Sequence, residues 1–497
     1  MAEPRKHFAR YFKGSSDGKK PRERNPLARA QGRYDVVVIG SGLAGLTAAN
    51  ILGRAGHRVA VLEQHYNFGG MATWFKRRGG HVFDISLHGF PVGMVKTCRK
   101  YWNREIASRI VRLESIRFDN PQFAFETDYT REDFTEKLVK VFGIARSRVD
   151  AFYEELRAMD FYDEPEGSTA DLFEEFFPGR NDVHRVLMEP ISYANGSNMH
   201  DDPAITYGIV FSNFMSKGVY TFSGGTDWLI RAMKDELASN GVDLLNNVQV
   251  DRIVVEGGRA TGIEAHGRFV GADVVVSNAN LKVTVDKLVG REHFSESFLA
   301  HFAKVRLNNS SCQVYMGLRE GRSIPFVTDL MFNSTREEFD CEALCDMHGE
   351  SRTFSFYYPK TRPGTDRYTI VSSTNANFAD WAGLDDEQYE RDKQKMIEDT
   401  LARLEHYLPG IRDDLDHVEA ATPRTFRFYT QHARGASFGT KFEGLKSSMD
   451  LPKEIEGLYH AGSVGIIMSG WLGAANYGVI TANRADAFLD ALREVSA

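Results

Sequence analysis

The chain has 497 residues and a formal net charge of −7, with 42% hydrophobic and 26% charged residues. This balance is typical of a soluble globular protein, and the length exceeds what one simple core accommodates, so we expect two domains. No second Cys or His pair stands at metal-ligand spacing beside Cys341 and Cys345, which argues against a zinc site. Cysteines are sparse, which favours a reduced, cytoplasmic protein. The four cysteines are Cys98, Cys312, Cys341 and Cys345.

Residues 1–33 form a basic leader that we expect to be flexible. The leader holds ten Lys and Arg against three acids, a net charge of +7 that leaves −14 for the rest of the chain. Phe8, Tyr11 and Phe12 follow the helical spacing i, i+3, i+4 among basic residues, a pattern suited to an anionic membrane surface. A solvated leader, or one that docks on its own protein, fits the same residues. We predict a cytoplasmic location, with peripheral membrane contact through residues 1–30 as one alternative, and no nucleic-acid partner.

After the leader, the sequence has the pattern of a strand, a helix and a second strand. A short run rich in β-branched residues occupies 34–39, the sequence Gly-Ser-Gly-Leu-Ala-Gly follows at 40–45, and a second apolar run occupies 59–62. Glycines at the first, third and sixth positions permit a tight turn, a close backbone approach to a diphosphate, and close packing of the helix on the strand. The amino end of the helix offers free N–H groups to the phosphates. This pattern predicts a dinucleotide site.

The residues that follow indicate which dinucleotide is bound. Glu63, at the end of the second strand, can accept both hydroxyls of an adenosine ribose. A second glycine pair, Gly69 and Gly70, follows six residues later. FAD lies extended and needs further close backbone approaches of this kind, whereas NAD does not. We therefore predict FAD as the cofactor.

The segments LEQHYNFGG at 62–70 and FDISLHGF at 83–90 resemble the FAD-dependent amine oxidase superfamily, and within it the carotenoid desaturase, carotenoid isomerase and retinol saturase branch. Ser86 stands where glycine is usual in that branch. The stretch from 218 to 280 resembles the family's second FAD segment, and Gly457–Ser463 its last one. Where many members then have an acid and a G-x-x-G-A run, this chain reads Ser463-Val-Gly-Ile-Ile-Met-Ser-Gly. The resemblance implies FAD contacts at Gly40, Gly42, Leu43, Ala44, Gly45, Glu63, Gln64, His65, Gly69, Gly70, Met71, Val250, Gly462, Ser463 and Met468.

The resemblance also implies an α/β fold. We expect a Rossmann-like FAD-binding domain, with a parallel sheet and an inserted β-meander, built from residues 34–110, 216–294 and 446–497. A discontinuous α+β substrate domain would take residues 111–215 and 295–445. Residues 110–215 have the pattern of mixed helices with acidic, aromatic-rich faces. The glycine-broken stretch 460–483 predicts a buried cofactor segment rather than a membrane span.

The expected function is that of an FAD-dependent oxidoreductase acting on carbon–carbon bonds of a long apolar substrate, such as a carotenoid, a retinoid or another isoprenoid lipid. Desaturation, saturation and cis–trans isomerisation all remain open. The alternatives are a flavin amine oxidase and a non-catalytic, FAD-stabilised lipid-binding subunit. His88 is the best candidate for a catalytic group, because it follows the FAD segment directly, although a structural histidine fits equally well. Further candidates near the flavin are His65, Tyr220, Phe222, His432, His460, Met468, Trp471 and Tyr477.

Overall fold

The computed structural model describes residues 26–160, 166–195, 201–215, 217–361, 367–465 and 467–496. Its strands are β1 (Arg33–Ile39), β2 (Val59–Glu63), β3 (Trp74–Lys76), β4 (Val82–Asp84), β5 (Phe90–Pro91), β6 (Ile110–Arg112), β7 (Ile116–Asn120), β8 (Phe123–Thr127), β9 (Val219–Phe222), β10 (Asp243–Asn246), β11 (Val250–Glu256), β12 (Arg259–Ala265), β13 (Arg268–Ser277), β14 (Ser310–Leu318), β15 (Leu330–Ser334), β16 (Ser351–Tyr357), β17 (Thr369–Ala376), β18 (Leu415–Ala421) and β19 (Leu458–His460).

The α-helices are α1 (Leu43–Arg54), α2 (Gly93–Tyr101), α3 (Arg104–Ser108), α4 (Arg131–Lys140), α5 (Arg146–Ala158), α6 (Thr169–Phe176), α7 (Asn181–Asn195), α8 (Ala204–Phe214), α9 (Gly225–Ser239), α10 (Leu281–Val283), α11 (Glu296–Phe302), α12 (Phe378–Ala382), α13 (Asp386–Tyr407), α14 (Ile411–Asp414), α15 (Pro423–Thr430), α16 (Gly444–Glu454) and α17 (Gly470–Ser496). A π-helix, Thr284–Val289, continues directly from α10.

The first sheet has seven strands and contains the predicted strand–helix–strand unit. Its order is β10-β2-β1-β13-β12-β11, and β19 pairs with β13 as a branch off that path. Strands β10, β2, β1, β13 and β19 run parallel, whereas β11, β12 and β13 form an antiparallel meander. The predicted α/β class, a parallel sheet with an inserted meander, is confirmed.

Both faces of the first sheet are covered, which explains the unbroken apolar runs of its strands. Along β1, Val36 and Val38 face one core, and Val37 and Ile39 face the other. The first core is closed by α1, α9 and α17, and the second by the π-helix, α11 and α16. The parallel strands therefore present their carboxyl ends at one common edge, where ligands bind in folds of this kind.

The second sheet also has seven strands, in the order β18-β14-β17-β16-β15-β7-β8. The long helix α13 packs on it through Tyr389, Met396 and Leu404. Helices α4 to α8 form an aromatic core against β7, β8 and β15. The expectation of helices throughout 110–215 is wrong for 110–127, because β6, β7 and β8 lie there. β7 and β8 form a local hairpin, whereas β6 pairs with β9 and β7 also pairs with β15, partners that are distant in the chain and that local sequence patterns do not reveal.

Residues 1–25 of the predicted leader, including the aromatic spacing at 8–12, lie outside the described residues. Residues from 26 onward belong to the body of the protein. Leu27 and Ala30 are buried in the second core of the first sheet. Arg268 donates hydrogen bonds to both of their carbonyl oxygens, at 2.8 and 2.9 Å. The leader thus ends before residue 27 rather than at 33, while the two-domain boundaries given above stay a prediction.

Candidate active site

A large cavity of about 1680 Å³ begins at the carboxyl edge of the first sheet and reaches the second sheet. Typical ligand pockets measure roughly 300–1,000 Å³. Its walls include the β1–α1 turn at 40–44, strand residues of β14 and β17, and residues of α7 and α8. The cavity is therefore large enough for a cofactor and a second molecule side by side.

The β1–α1 turn forms a cradle through close backbone approaches. A Cβ atom added to Gly42 would lie 2.6 Å from Asn278 Oδ1, and one on Gly70 would lie 2.9 Å from Gly42 Cα. Asn278 is held in place, because its Nδ2 donates to the Ala461 carbonyl at 2.7 Å. No side chain caps the amino end of α1 at Gly42. The cradle thus offers free backbone N–H groups and no room for side chains, which fits the diphosphate of a dinucleotide.

Glu63 lines the cavity but is already engaged by the protein. Its Oε2 accepts hydrogen bonds from the Ser41 backbone N–H at 2.9 Å and from Ser41 Oγ at 2.6 Å, and its Oε1 accepts from the His65 backbone N–H at 2.8 Å. A carboxylate has about four acceptor positions. This arrangement leaves one of them, on Oε1, for a ribose hydroxyl, and a second ribose hydroxyl would need Ser41 Oγ to turn away.

His65 is placed to donate into the cofactor end of the cavity. Its Nδ1 accepts a hydrogen bond from the Asn67 backbone N–H at 3.1 Å, which assigns the ring proton to Nε2. Burial lowers the pKa of His65, despite the opposing effect of Glu63, which favours the neutral ring. Nε2 is buried and has no hydrogen-bond partner among the described residues. A cofactor acceptor atom would satisfy this donor.

Most of the other residues that were predicted to contact FAD also line the cavity. They are Leu43, Ala44, Gln64, Gly69, Met71, Val250, Ser463 and Met468. Ser86, which replaces the usual glycine, donates from Oγ to the Met71 carbonyl at 2.8 Å, so the replacement adds a hydrogen bond beside the site.

Two predicted contact residues lie behind the wall instead. Gly45 does not line the cavity; a Cβ atom there would lie 2.6 Å from the Gly40 carbonyl oxygen. Gly462 is likewise absent from the wall, and its space is taken by the Ala279 carbonyl and by His460 Nε2, 2.5 Å from an added Cβ. Both glycines permit close packing of the elements that carry the site. The adjacent Ala461 and Ser463 face the cavity in place of Gly462.

His88 lies in the wall of the cavity, pinned by the second sheet. One ring nitrogen, Nδ1, is 2.8 Å from Ser355 Oγ, and the other, Nε2, is 3.3 Å from Ser373 Oγ and 3.4 Å from Gln313 Nε2. Gln313 Nε2 donates to the Ile85 carbonyl at 2.9 Å and to Ser373 Oγ at 3.2 Å. With Ser373 Oγ accepting from Gln313, its own proton is directed to Nε2 of His88, which places the ring proton on Nδ1. Burial lowers the pKa of His88 to about 4, against the opposing effect of Asp84. His88 is therefore a neutral, oriented acceptor and a poor general base at neutral pH.

The remaining candidates divide between the wall and the packed interior. His432 and Trp471 line the cavity, and Trp471 Nε1 donates to the Ser86 carbonyl at 3.1 Å. Tyr220, Phe222, His460 and Tyr477 do not line it. His460 is a structural residue: its ring bonds to Ser448 Oγ at 2.6 Å and to the Ala279 carbonyl at 2.9 Å, and burial lowers its pKa to about 4.

The part of the cavity away from the cradle is an apolar chamber. The elements that form it are β5, β7, β9, β15, α7 and α8. The wall residues that these elements and the β8–α4 turn contribute, none of them charged, are Phe90, Pro91, Ile116, Tyr129, Pro190, Ile191, Ile209, Val210, Asn213, Phe214, Val219, Leu330 and Phe332. Such a wall suits a long hydrocarbon chain and itself provides no counter-ion for a protonated amine. The acids that line the same cavity, Glu63, Asp386, Glu390 and Glu419, belong to other segments.

The described residues lack both a candidate metal site and a candidate membrane-spanning helix. No group of three or more His, Cys, Asp or Glu side chains there could hold a metal ion. Among the same residues, no helix is both long and apolar enough to cross a membrane.

Comparison with known proteins identifies the family. The family model of the flavin containing amine oxidoreductases matches residues 43–463. The chain belongs to this family and is an FAD-dependent oxidoreductase. The cradle, the uncapped amino end of α1 and the unpartnered His65 donor all fit that cofactor.

Its curated relatives are similar over most of their length. A prolycopene isomerase of an Oncidium hybrid cultivar is 24% identical over 502 residues, with 92% of this chain and 84% of the relative covered. An all-trans-retinol 13,14-reductase of Homo sapiens is 21% identical, covering 82% and 77%. A 4,4'-diapophytoene desaturase of a Methylomonas species is 23% identical, covering 81% and 84%.

Solved structures confirm the fold. An oxidoreductase from Methanosarcina mazei aligns with a TM-score of 0.62 at 17% identity, covering 90% of this chain and 99% of that one. Cyclohexylamine oxidase from Brevibacterium oxydans aligns with a TM-score of 0.63 at 15% identity, covering 92% and 99%.

Sequence reasoning missed two residues of the site. Asn278 follows β13 at the carboxyl edge of the sheet, where polar residues that end parallel strands often meet ligands, so its position was a usable signal. Tyr129 precedes α4 in a turn that pairs with distant elements, and nothing in its local sequence indicates the cavity.

Proposed function

We propose that the protein acts on a carbon–carbon bond of a long isoprenoid, such as a carotenoid or retinoid, by desaturation, saturation or cis–trans isomerisation. The observation that carries the proposal is that one cavity is lined both by the dinucleotide cradle and by the uncharged chamber. The names of the curated relatives, an isomerase, a reductase and a desaturase of isoprenoids, support the same substrate class.

FAD supplies hydride transfer when it is bound. The residues of this chain have three tasks around it. The cradle at 40–44 and Glu63 hold the dinucleotide, and the chamber orients an apolar chain and excludes water. His88 accepts a hydrogen bond at a fixed point between the two sheets. Because its ring is neutral and already bonded, the proposal assigns it a positioning role and no proton abstraction.

The experiment is a comparison of substrate classes with the FAD-loaded protein. Isoprenoid polyenes and, separately, primary amines are incubated with it and the products are separated by chromatography. The proposal expects new or isomerised polyene products that require FAD. Oxidation of the amines alone would favour a flavin amine oxidase, and retention of polyenes without conversion would favour a non-catalytic lipid-binding subunit.

We also propose, from the sequence of the leader, a cytoplasmic protein with peripheral contact to anionic membranes through the basic residues before 26. Because Leu27 and Ala30 are buried in the fold, the test is deletion of residues 2–25 and not of 2–30. Binding to anionic vesicles should fall in this variant while its thermal unfolding stays unchanged. Undiminished vesicle binding would remove the proposal.

A further inference from the structure

The cavity face of the second sheet changes from apolar to polar across the sheet. On β7 and β15 this face belongs to the apolar chamber, whereas on β14 and β17 it carries Ser311, Gln313 and Ser373. The strand order places β16 between the two regions. A long ligand that spans the cavity therefore meets a hydrocarbon wall at one end and hydrogen-bonding groups at the other.

The loop after α15 closes the polar end of the cavity and is bound to the beginning of β14. Ser310 Oγ donates to the Gly435 carbonyl at 2.7 Å, and the Ser437 backbone N–H donates to the Asn309 carbonyl at 3.0 Å. His432, in the same loop, lines the cavity. The contacts with β14 fix the position of the loop at the end of the sheet where Ser311 lies.

The backbone on either side of His432 is strained and held in place. Gln431 has a φ angle of +57° and Arg434 one of +53°, both in the left-handed region that is uncommon for residues other than glycine. The His432 backbone N–H donates to Thr430 Oγ1 at 3.1 Å. Residues held in such conformations concentrate at ligand and active sites.

The ring of His432 presents an unpaired hydrogen-bond acceptor to the cavity. Its Nδ1 lies 2.9 Å from the Ala436 carbonyl oxygen, which can only accept, so Nδ1 carries the ring proton. Burial lowers the pKa of His432, despite the opposing effect of that hydrogen bond, which favours the neutral ring and leaves a lone pair on Nε2. Nε2 has no partner among the described residues and, unlike Nε2 of His65, is not fully buried, so a ligand can reach it.

No described residue donates to Nε2 of His432. The Ser437 hydroxyl in the same loop is fully buried and has no partner of its own. Ser311 Oγ donates its proton to the Thr374 carbonyl at 3.0 Å and keeps only acceptor positions for a ligand. A hydrocarbon that displaces water from this end of the cavity would leave Nε2 unpaired, whereas a hydroxyl at the end of the chain would donate to it.

We propose that Nε2 of His432 accepts a hydrogen bond from a hydroxyl at one end of the substrate, while the isoprenoid chain extends into the apolar chamber. The protein then selects isoprenoid alcohols over hydrocarbons, and also over ethers, which keep the oxygen atom but have no proton to donate. The proposal rests on the proposed function for the ligand class of the chamber, and it makes His432 a specificity-determining residue.

The test is a binding measurement, which does not depend on turnover. Geranylgeraniol, its methyl ether and the hydrocarbon of the same carbon skeleton are titrated into the FAD-loaded protein, with quenching of tryptophan fluorescence as the signal. The wild type should bind the alcohol about three- to tenfold more tightly than either of the other ligands, the range of one neutral hydrogen bond.

His432→Asn is the matched variant, because the asparagine amide can keep the hydrogen bond to the Ala436 carbonyl while Nε2 is lost. It should bring both affinity ratios close to one by weakening the alcohol. His293→Asn replaces an exposed histidine outside the cavity wall and should leave both ratios unchanged. FAD affinity and thermal unfolding of both variants are measured alongside.

Equal affinity of the wild type for the alcohol and the ether would overturn the proposal even if a variant failed to fold. A preference for the alcohol that persists in His432→Asn would overturn it as well, and a loss of FAD affinity in that variant would then assign the ring to the cofactor. Conversion of the ligands is measured in parallel: binding with the predicted preference but without conversion would refute the proposed reaction and leave the role of His432 intact.

Discussion

Replacing Gly42 by Ala tests the dinucleotide cradle without straining the backbone. Gly42 has φ −62° and ψ 166°, which alanine adopts freely. The new Cβ would lie 2.6 Å from Asn278 Oδ1, closer than real Cβ contacts, and Asn278 cannot turn without losing its 2.7 Å hydrogen bond to the Ala461 carbonyl. Overpacking of this kind costs about 1–3 kcal/mol. Because the clash is between protein atoms, the turn relieves it by shifting, which displaces the N–H groups that meet the diphosphate. FAD binding then weakens by at most roughly 150-fold, the equivalent of the full cost of about 3 kcal/mol.

The assay is titration of the apoprotein with FAD, followed by flavin fluorescence, with thermal unfolding of the apoprotein measured alongside. Gly383→Ala is the matched control, because nothing lies within 4 Å of its added Cβ and its φ is −87°. A second variant, Gly42→Ala with Asn278→Ala, removes the clashing oxygen and should recover part of the affinity. Wild-type FAD affinity in Gly42→Ala would refute the reasoning that this turn closes on the cofactor.

Three further predictions follow from buried ionisable groups. Glu63→Gln should weaken FAD binding roughly tenfold or more, because a charged acceptor is lost; an unchanged dissociation constant in the same titration would remove its ribose role. Burial raises the pKa of Glu189 from 4.5 to about 7, against the attraction of Arg185. The folded state therefore binds more protons than the unfolded state, and stability falls as pH rises from about 4.5 to 7. Relative to the wild type, Glu189→Gln should gain up to about 3 kcal/mol of unfolding free energy between pH 5 and pH 8 in denaturant titrations, and a constant difference would contradict this. His88, with its pKa lowered to about 4, should contribute no inflection to the pH–rate profile between pH 6 and 8; an inflection that disappears in His88→Asn would assign it a proton-transfer role.

The cofactor end of the molecule could be predicted from the sequence because its constraints are local. A short β-branched run, a glycine turn and an acid at a fixed distance each have one physical explanation, and the structure brings Gly42, Glu63, Gly70 and Val250 to the same cavity. Gly45 illustrates the limit. Its need for close packing was predicted, but whether it faced the ligand or the protein depended on Gly40 and Asn278.

The apolar chamber could not be predicted in the same way. It is assembled from β7, α7, α8 and β15, which lie far apart in the chain and are each explained equally well as ordinary core. The neutral state of His88 also depends on burial against β14, β16 and β17, strands that begin more than two hundred residues later. Packing between segments that are distant in the chain sets the protonation state of His88 and makes the apolar residues part of a cavity wall.

The most direct test of the account is an anaerobic single turnover of the FAD-loaded protein with a polyene isoprenoid, with the flavin oxidised in one sample and chemically reduced in another. Mass spectrometry and isomer-resolved chromatography then follow the polyene, and the apoprotein is the control. The account predicts that, with the flavin in at least one of the two states, the polyene loses two hydrogens, gains two hydrogens or changes its double-bond geometry. None of these changes should occur with the apoprotein. Recovery of unchanged polyene from both flavin states, together with flavin bleaching by an amine, would contradict it.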